Sequence, residues 1–226
     1  MRVTALTLES ATESSTGAVE LVFAPRRALP FHAGQGGLVL LPGGGVKPFT
    51  FAGDDRSGRL SIATTLHSGS RFKRALGDLR PGDRAYAAGA VGTLPAVEAN
   101  QSQVLLAQGI GITPFLSMAR SCDHLDATLL HVGTPHFFDE TAAAMTTAEH
   151  HQHRQGLADA VRRAVADRPG ARWSLSGRSA FVNALAEQLR QAGVPARRVH
   201  KEAFWTMRTP TNTTRRGDLV DAWRDA

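Results

Sequence analysis

The stretch VLLAQGIGITPFLSMAR, Val104–Arg120, decides how the second half of this chain folds. It begins as an unbroken apolar run, which is typical of a strand buried on both faces of a parallel sheet. Gly109 and Gly111 follow, and then Thr113 and Pro114, an N-cap and first-turn pair that predicts a helix start. Glycine lets a ligand approach the backbone, and a helix N-terminus favours anionic groups. The stretch therefore indicates a nucleotide-binding turn, although a tight turn without any ligand explains the same glycines.

Strands and helices continue to alternate after this stretch. The segments DATLLHVG, ARWSLSG and RRVHKEAF predict buried strands, and LADAVRRAVADRPG predicts a helix that ends at a Pro-Gly pair. Ser179 is predicted to cap a further helix, which Gly193 ends. This alternation predicts an α/β doubly wound parallel sheet with helices on both faces.

The first part of the chain has the shorter period of β structure. RVTALTLE, AVELVFA, GLVLL, RLSIATT and DRAYAAG predict short strands, with turn signals such as PGGG and RPGD near them. Closely spaced strands of this kind indicate a small barrel. One helix, capped by Ser70, is predicted to interrupt them. We expect a barrel domain over 1–97, an α/β domain over 98–207 and a C-terminal tail over 208–226.

Composition excludes several classes of protein. The 226 residues are 42% hydrophobic and 20% charged, and the best apolar run is too short to span a bilayer. The single cysteine, Cys122, rules out disulfides and four-cysteine metal sites within the chain. With no hydrophobic signal segment, the natural expectation is a cytoplasmic location. The net charge of +6 comes from scattered arginines, which favour an acidic protein partner or a phosphorylated ligand over nucleic acid.

The barrel segment carries features suited to a cofactor. KPFTFAG places the cation of Lys47, the ring of Phe49 and the hydroxyl of Thr50 within four residues. Further along, HSGSRFKRALGDLRPGD offers a Gly-Ser turn that leads into a helix with basic residues at its start. A helix N-terminus with added cations suits a pyrophosphate. A planar cofactor would in turn need an aromatic face and a hydroxyl donor.

The ordered motifs KPFT, GSRFKRALGDLRPGD, GAVGTLP, QGIGITPF, SLSGR and HKEAF resemble the ferredoxin–NADP reductase superfamily of flavoprotein electron transferases. The resemblance runs from about Leu6 to Trp205. It implies an antiparallel Greek-key β-barrel that binds FAD, or FMN, followed by an α/β nicotinamide-nucleotide domain. It further implies that NADPH or NADH reduces the flavin, and that a separate acceptor such as a ferredoxin receives the electrons.

The resemblance also assigns roles in the barrel. Lys47, before Pro48, stands where the family has arginine and would face the flavin phosphate with less specific geometry. Phe49 stands at the tyrosine that packs on the flavin, without its hydroxyl. Thr50 matches the hydroxyl residue that hydrogen-bonds the ring nitrogen receiving hydride. The phosphate-binding turn and helix would be formed by Gly69, Ser70 and Lys73.

In the second domain the resemblance places Gly109, Gly111, Thr113 and Pro114 in the nicotinamide-side loop. Ser176 and Gly177 match a Ser-Gly or Cys-Gly pair, and Arg178 replaces the usual proline. Glu202 matches a C-terminal acid near the flavin, and Phe204 the aromatic residue after it. Thr50, Ser176 and Glu202 are the predicted catalytic residues.

Three questions stay open at this level. The stretch HVGTPHFFDE, where NADPH-specific members often carry arginine, has none, so coenzyme choice is undecided. In EHHQHRQ, His151 and His153 would share one face of a strand and His150 the other, but we expect no metal there. Trp205, Trp223 or neither could cover a flavin. The rival function is a flavin- or nucleotide-binding regulatory or assembly module without turnover, because departures at Lys47, Phe49 and Arg178 would weaken flavin binding.

Overall fold

The computed structural model describes residues 3–54, 56–92, 94–95 and 101–204. The predicted tail over 208–226, together with Trp205 and Trp223, lies outside these residues. Within them, no helix is long and apolar enough to cross a membrane.

The first domain is a nearly closed antiparallel barrel, as predicted. Its six strands lie in the order β4-β3-β6-β1-β2-β5. A bridge between Phe51 and Ile62 brings the two edges of this sheet together. The strands are β1 Val3–Glu13, β2 Ala18–Pro25, β3 Gly36–Leu41, β4 Gly45–Thr50, β5 Leu60–Thr65 and β6 Arg84–Val91, with helix α1, Arg71–Gly77, between β5 and β6.

Strand β4 was not among the predicted strands, because proline normally argues against a strand interior. Pro48 is tolerated because β4 lies at one end of the sheet order. The predicted cap of α1 is confirmed, since the Ser70 hydroxyl accepts a hydrogen bond of 3.3 Å from the Lys73 backbone N–H. The cofactor motif KPFT thus lies on β4, next to α1.

The second domain is a doubly wound parallel sheet, also as predicted. Its five strands lie in the order β11-β10-β7-β8-β9 and all pair in parallel. They are β7 Gln103–Gln108, β8 Leu125–Val132, β9 Met145–His151, β10 Arg172–Arg178 and β11 Val199–Phe204. The helices are α2 Thr113–Ser121, α3 Phe138–Ala142, α4 Arg154–Asp167 and α5 Ser179–Gln191, with 3₁₀ turns at Gly109–Ile112 and Ala196–Arg198.

Successive side chains of β7 pack into two separate hydrophobic cores, one on each face of the sheet. Val104 and Leu106 pack with the residues of α4 and α5, whereas Leu105 and Ala107 pack with those of α2. Both faces are therefore covered, which explains the unbroken apolar run of β7.

Two predicted helix caps are wrong. Thr113 makes no capping bond, because the 3₁₀ turn runs directly into α2 and the Thr113 N–H bonds to the Ile110 carbonyl. Ser179 is the first residue of α5 rather than its cap. Its hydroxyl lies 3.5 Å from the Phe204 carbonyl oxygen, across the sheet edge.

The histidine segment also differs from its prediction. Strand β9 ends at His151, so His153 does not share a strand face with it and instead precedes α4. The strand lies at the edge of the sheet. In the described part of the chain, no group of three or more His, Cys, Asp and Glu side chains is arranged to hold a metal ion.

The two domains are joined by polar and apolar contacts around α2. The buried Ser117 hydroxyl donates a 2.7 Å hydrogen bond to the Gly53 carbonyl of the barrel. Beside it, Leu116 of α2 packs on Ala52 and Ala63. These contacts bring the end of β4 against the turn that follows β7.

Candidate functional site at the domain junction

A cleft of about 380 Å³ lies where the two domains meet. Strands β4 and β5 and helix α1 supply its barrel side, and the turn after β7 and the end of β11 supply the other side. Its lining residues are Lys47, Pro48, Phe49, Thr50, Ala63, Thr64, Thr65, Ser68, Ser70, Phe72, Lys73, Ile110, Thr113 and Phe204. The cleft therefore gathers seven of the residues that the family resemblance assigned to cofactor binding: Lys47, Pro48, Phe49, Thr50, Ser70, Lys73 and Thr113, and an eighth, Phe204, from the end of the described chain.

Two lysines make part of this cleft cationic. The Lys73 ammonium lies 5.1 Å from the centre of the Phe49 ring and donates to the Thr64 hydroxyl. Burial, and then the charge of Lys47, lowers the pKa of Lys73 to about 8. None of the described lining residues is acidic. Two lysines brought together without a carboxylate would be stabilised by an anionic ligand.

An aromatic wall lies next to these lysines. The Phe49 and Phe72 rings lie 5.5 Å apart, and Phe72 is anchored in the barrel core. Thr50 is only 6% exposed, so its side chain is held at the inner end of β4. An aromatic wall beside a fixed hydroxyl suits a planar, hydrogen-bonding ring.

A second cleft of about 630 Å³ lies beside the first and shares Pro48, Phe49, Thr50 and Phe204 with it. Glu202 lines this second cleft and not the first. The predicted acid therefore lines the neighbouring cleft, and not the one that contains Lys47 and Lys73.

The two glycines of the quoted stretch have different roles. Gly109 has a φ of +52°, and nothing lies within 4 Å of the point that a Cβ would occupy there, so its outer side is open. Gly111 is buried, and a Cβ there would lie 2.8 Å from the Ser176 carbonyl oxygen. Gly111 is required for close packing of the turn on β10, which sequence alone could not distinguish from ligand approach.

We expect Gly111→Ala to destabilise the protein by about 1–3 kcal/mol, because the added methyl group overpacks the turn against backbone that cannot rotate away. Chemical denaturation measures this change. Gly170→Ala is the matched control, since nothing lies within 4 Å of its Cβ position. Equal effects of the two substitutions would show that the contact with β10 does not constrain Gly111.

The predicted residues at the end of β10 are not brought into either cleft. Ser176 is fully buried, and its hydroxyl has no hydrogen-bond partner among the described residues. Gly177 is buried against Gln108 and Phe181, whereas Arg178 is exposed. Pro114 lies buried in the first turn of α2, and Gly69, with a φ of +56°, forms the turn before α1. The roles predicted for these residues remain predictions.

Several lining residues were missed from the sequence. Thr64, Thr65 and Ser68 follow one another along the end of β5 and the turn to α1, and Phe72 and Ile110 complete the walls. The hydroxyl-rich run TTLHSGS was the available signal in the sequence. Its hydroxyls line the same cleft as the KPFT motif only because the end of β4 lies beside β5, which the sequence does not show.

No family model matches this chain, and no curated protein matches it. Solved structures do match. A ferredoxin NADP+ reductase from Neisseria gonorrhoeae with bound FAD and NADP is 15% identical, with a TM-score of 0.73 over 91% of this chain and 100% of that one. Phthalate dioxygenase reductase is 24% identical, with a TM-score of 0.72 over 92% and 69% of the two chains. The FAD apo form of a ferredoxin reductase in carbazole 1,9a-dioxygenase is 15% identical, with a TM-score of 0.72 over 90% of this chain and 66% of that one.

These matches show that the chain has the two-domain fold of ferredoxin–NADP reductase-like proteins. The predicted fold is thereby confirmed. The chain spans about two thirds of the length of the carbazole dioxygenase reductase and the whole of the Neisseria enzyme.

Proposed function

We propose that this chain is a flavin-dependent oxidoreductase that takes hydride from NADPH or NADH and passes electrons to a separate acceptor. The observation that carries the proposal is the cleft at the domain junction. It joins an aromatic and hydroxyl-lined wall, two lysines and the glycine turn of a parallel sheet. The fold is one on which reductases with bound FAD and NADP are built.

The residues of the cleft fit a flavin nucleotide. Lys47 and Lys73, with the Ser70 hydroxyl, would hold phosphate at one end. Phe49 would pack against the ring, and Thr50 would hydrogen-bond its edge. FAD is the favoured form and FMN the alternative, since both carry the ring and a phosphate. The second cleft gives the larger nucleotide additional room beyond Phe204.

A bound flavin would supply the chemistry by accepting hydride from the nicotinamide and releasing electrons singly or as a pair. The protein's contribution is positioning. Thr50 is held at the inner end of β4 and would orient the ring, and Ile110 and Thr113 form the side of the cleft nearest the glycine turn. Glu202 is proposed to hold or relay a proton from the second cleft.

The charge of the chain favours an acidic acceptor. The net charge is +6, and the exposed Arg71 and Arg74 lie on α1 within two residues of Lys73, which lines the cleft. An acidic ferredoxin is the proposed partner, because opposite charges accelerate encounter between proteins. Free flavin or a ferric chelate would be the alternative acceptor, with no protein partner.

An anaerobic absorbance titration tests the function. We expect the protein supplied with FAD to retain a flavin band that bleaches on addition of NADPH or NADH, and the better reductant identifies the coenzyme. A retained band that stays oxidised with both would support the rival module without turnover. Failure to retain flavin would show that lysine at 47 and phenylalanine at 49 do not support the site.

A further inference from the structure

Two stacked histidines lie beneath the carboxyl edge of the parallel sheet. His131, near the end of β8, is fully buried, and His150 is its register partner on β9. Their ring centres are 5.5 Å apart with an interplanar angle of 29°. Phe138 of α3 lies against both rings, at 5.8 and 5.6 Å. These aromatic contacts hold both imidazoles in one orientation.

Each histidine bonds to the turn that follows the neighbouring strand. His131 Nε2 lies 3.0 Å from the Gly109 carbonyl oxygen, and His150 Nε2 lies 2.6 Å from the Gly133 carbonyl oxygen. Because a carbonyl oxygen only accepts, both rings carry their proton on Nε2. Thus β8 holds the turn after β7, and β9 holds the turn after β8.

Both turns need such support. Gly109 and Gly133 have φ values of +52° and +94°, so a regular strand or helix ladder does not continue through them. The backbone N–H of Gly133 also bonds to the His151 carbonyl at 2.9 Å, so β9 contacts both the N–H and the carbonyl of this turn residue. These turns lie where ligands approach an open parallel sheet.

His131 is suited to a fixed neutral role. Burial lowers the pKa of His131 to about 4. The hydrogen bond with the Gly109 carbonyl opposes this shift, whereas the charges of His150 and His136 add to it. The ring therefore keeps the same donor at neutral pH.

We propose that His131 and His150 are positioning residues that hold the Gly109 and Gly133 turns in the geometry required for the nicotinamide coenzyme. This inference rests on the proposed function, because it assigns the coenzyme to these turns. Neither side chain lines the cofactor cleft. Their effect is exerted through the two glycine carbonyls.

Three variants test the proposal. His131→Leu removes the donor at similar size, whereas His131→Gln keeps an N–H in reach of Gly109. His124→Gln is the control, since His124 is exposed just before the opposite end of β8. We expect His131→Leu to raise the KM for NADH or NADPH about 10-fold, the loss typical of one hydrogen bond, with kcat and FAD affinity unchanged. His131→Gln should restore most of the affinity, and the control should match the parent protein.

Hydrogen exchange on the flavin-free protein supplies a readout independent of activity. In His131→Leu, amides of residues 109–112 should exchange faster, while barrel amides keep the parent rate. Faster exchange in a protein without NAD(P)H oxidation would support the positioning contact but contradict the proposed function. Each of three results would overturn the proposal. The first is an unchanged KM in an active His131→Leu protein, and the second is a His131→Gln variant as impaired as His131→Leu. The third is a rise in hydrogen exchange that is uniform over the whole protein.

Discussion

Replacing Arg120 with methionine is expected to lower the free energy of unfolding by about 3–5 kcal/mol, because it leaves a partly buried carboxylate without its cation. The Arg120 guanidinium extends from α2 across the domain junction. It donates to both carboxylate oxygens of Glu20 on β2, to the Ala52 carbonyl at 3.1 Å and to Glu140 at 2.7 Å. The Arg120 and Glu20 side chains are only 22% and 16% exposed. Burial alone would raise the pKa of Glu20, but hydrogen bonds from Arg120 and Ser61 hold it below its ordinary value.

Urea denaturation of Arg120→Met, of a control variant and of the parent protein measures this loss of stability. Arg190→Met is the matched control, since Arg190 pairs with Glu187 on the exposed surface of α5 and such pairs contribute little. Adding Glu20→Gln to Arg120→Met should recover part of the lost stability, because the unpaired charge is then gone. If Arg120→Met unfolds at the same urea concentration as Arg190→Met, the junction does not depend on this ion pair.

Thr50→Val is expected to slow the bleaching of bound flavin by NADH or NADPH about 100-fold, on the basis of the proposed function. Loss of one hydrogen-bond donor at a reacting centre typically costs this much. Valine has nearly the shape of threonine, so the barrel should retain its stability. Stopped-flow absorbance under anaerobic conditions measures the rate.

Thr65→Val is the control for this prediction. Thr65 lines the same cleft from β5, and no role in orienting the ring is proposed for it. We expect a much smaller change in its bleaching rate than in that of Thr50→Val. A Thr50→Val protein that is reduced at the parent rate would remove Thr50 from the mechanism, while equal losses in both variants would indicate a general disturbance of the cleft.

Local signals in the sequence were sufficient for the two-domain architecture. Period-two alternation between glycine and proline turns predicted the barrel, and apolar strands alternating with amphipathic helices predicted the doubly wound sheet. Both signals are local, because side chains along one strand or helix must face the same core. Strand β4 was missed because the edge position that tolerates Pro48 is a property of the whole sheet, which no local signal reports.

The candidate site was only partly predictable. The motif residues Lys47 to Thr50 and the Ser70 turn were found because a resemblance placed them, and the structure brings them into one cleft. The resemblance grouped Ser176 with them, yet its side chain is fully buried and its carbonyl oxygen packs against Gly111. Strand direction and register, which decide such orientation, depend on neighbours distant in the chain.

The sequence by itself therefore determined most of the strands and helices, the two-domain architecture and the residue types available to a cofactor. Only the tertiary structure decided which of them meet. Arg120 and Glu20 are a hundred residues apart and pair because α2 packs on the barrel. His131 and His150 stack because β8 and β9 are in register. Contacts of this kind depend on the packing of whole elements, which no local pattern of residues specifies.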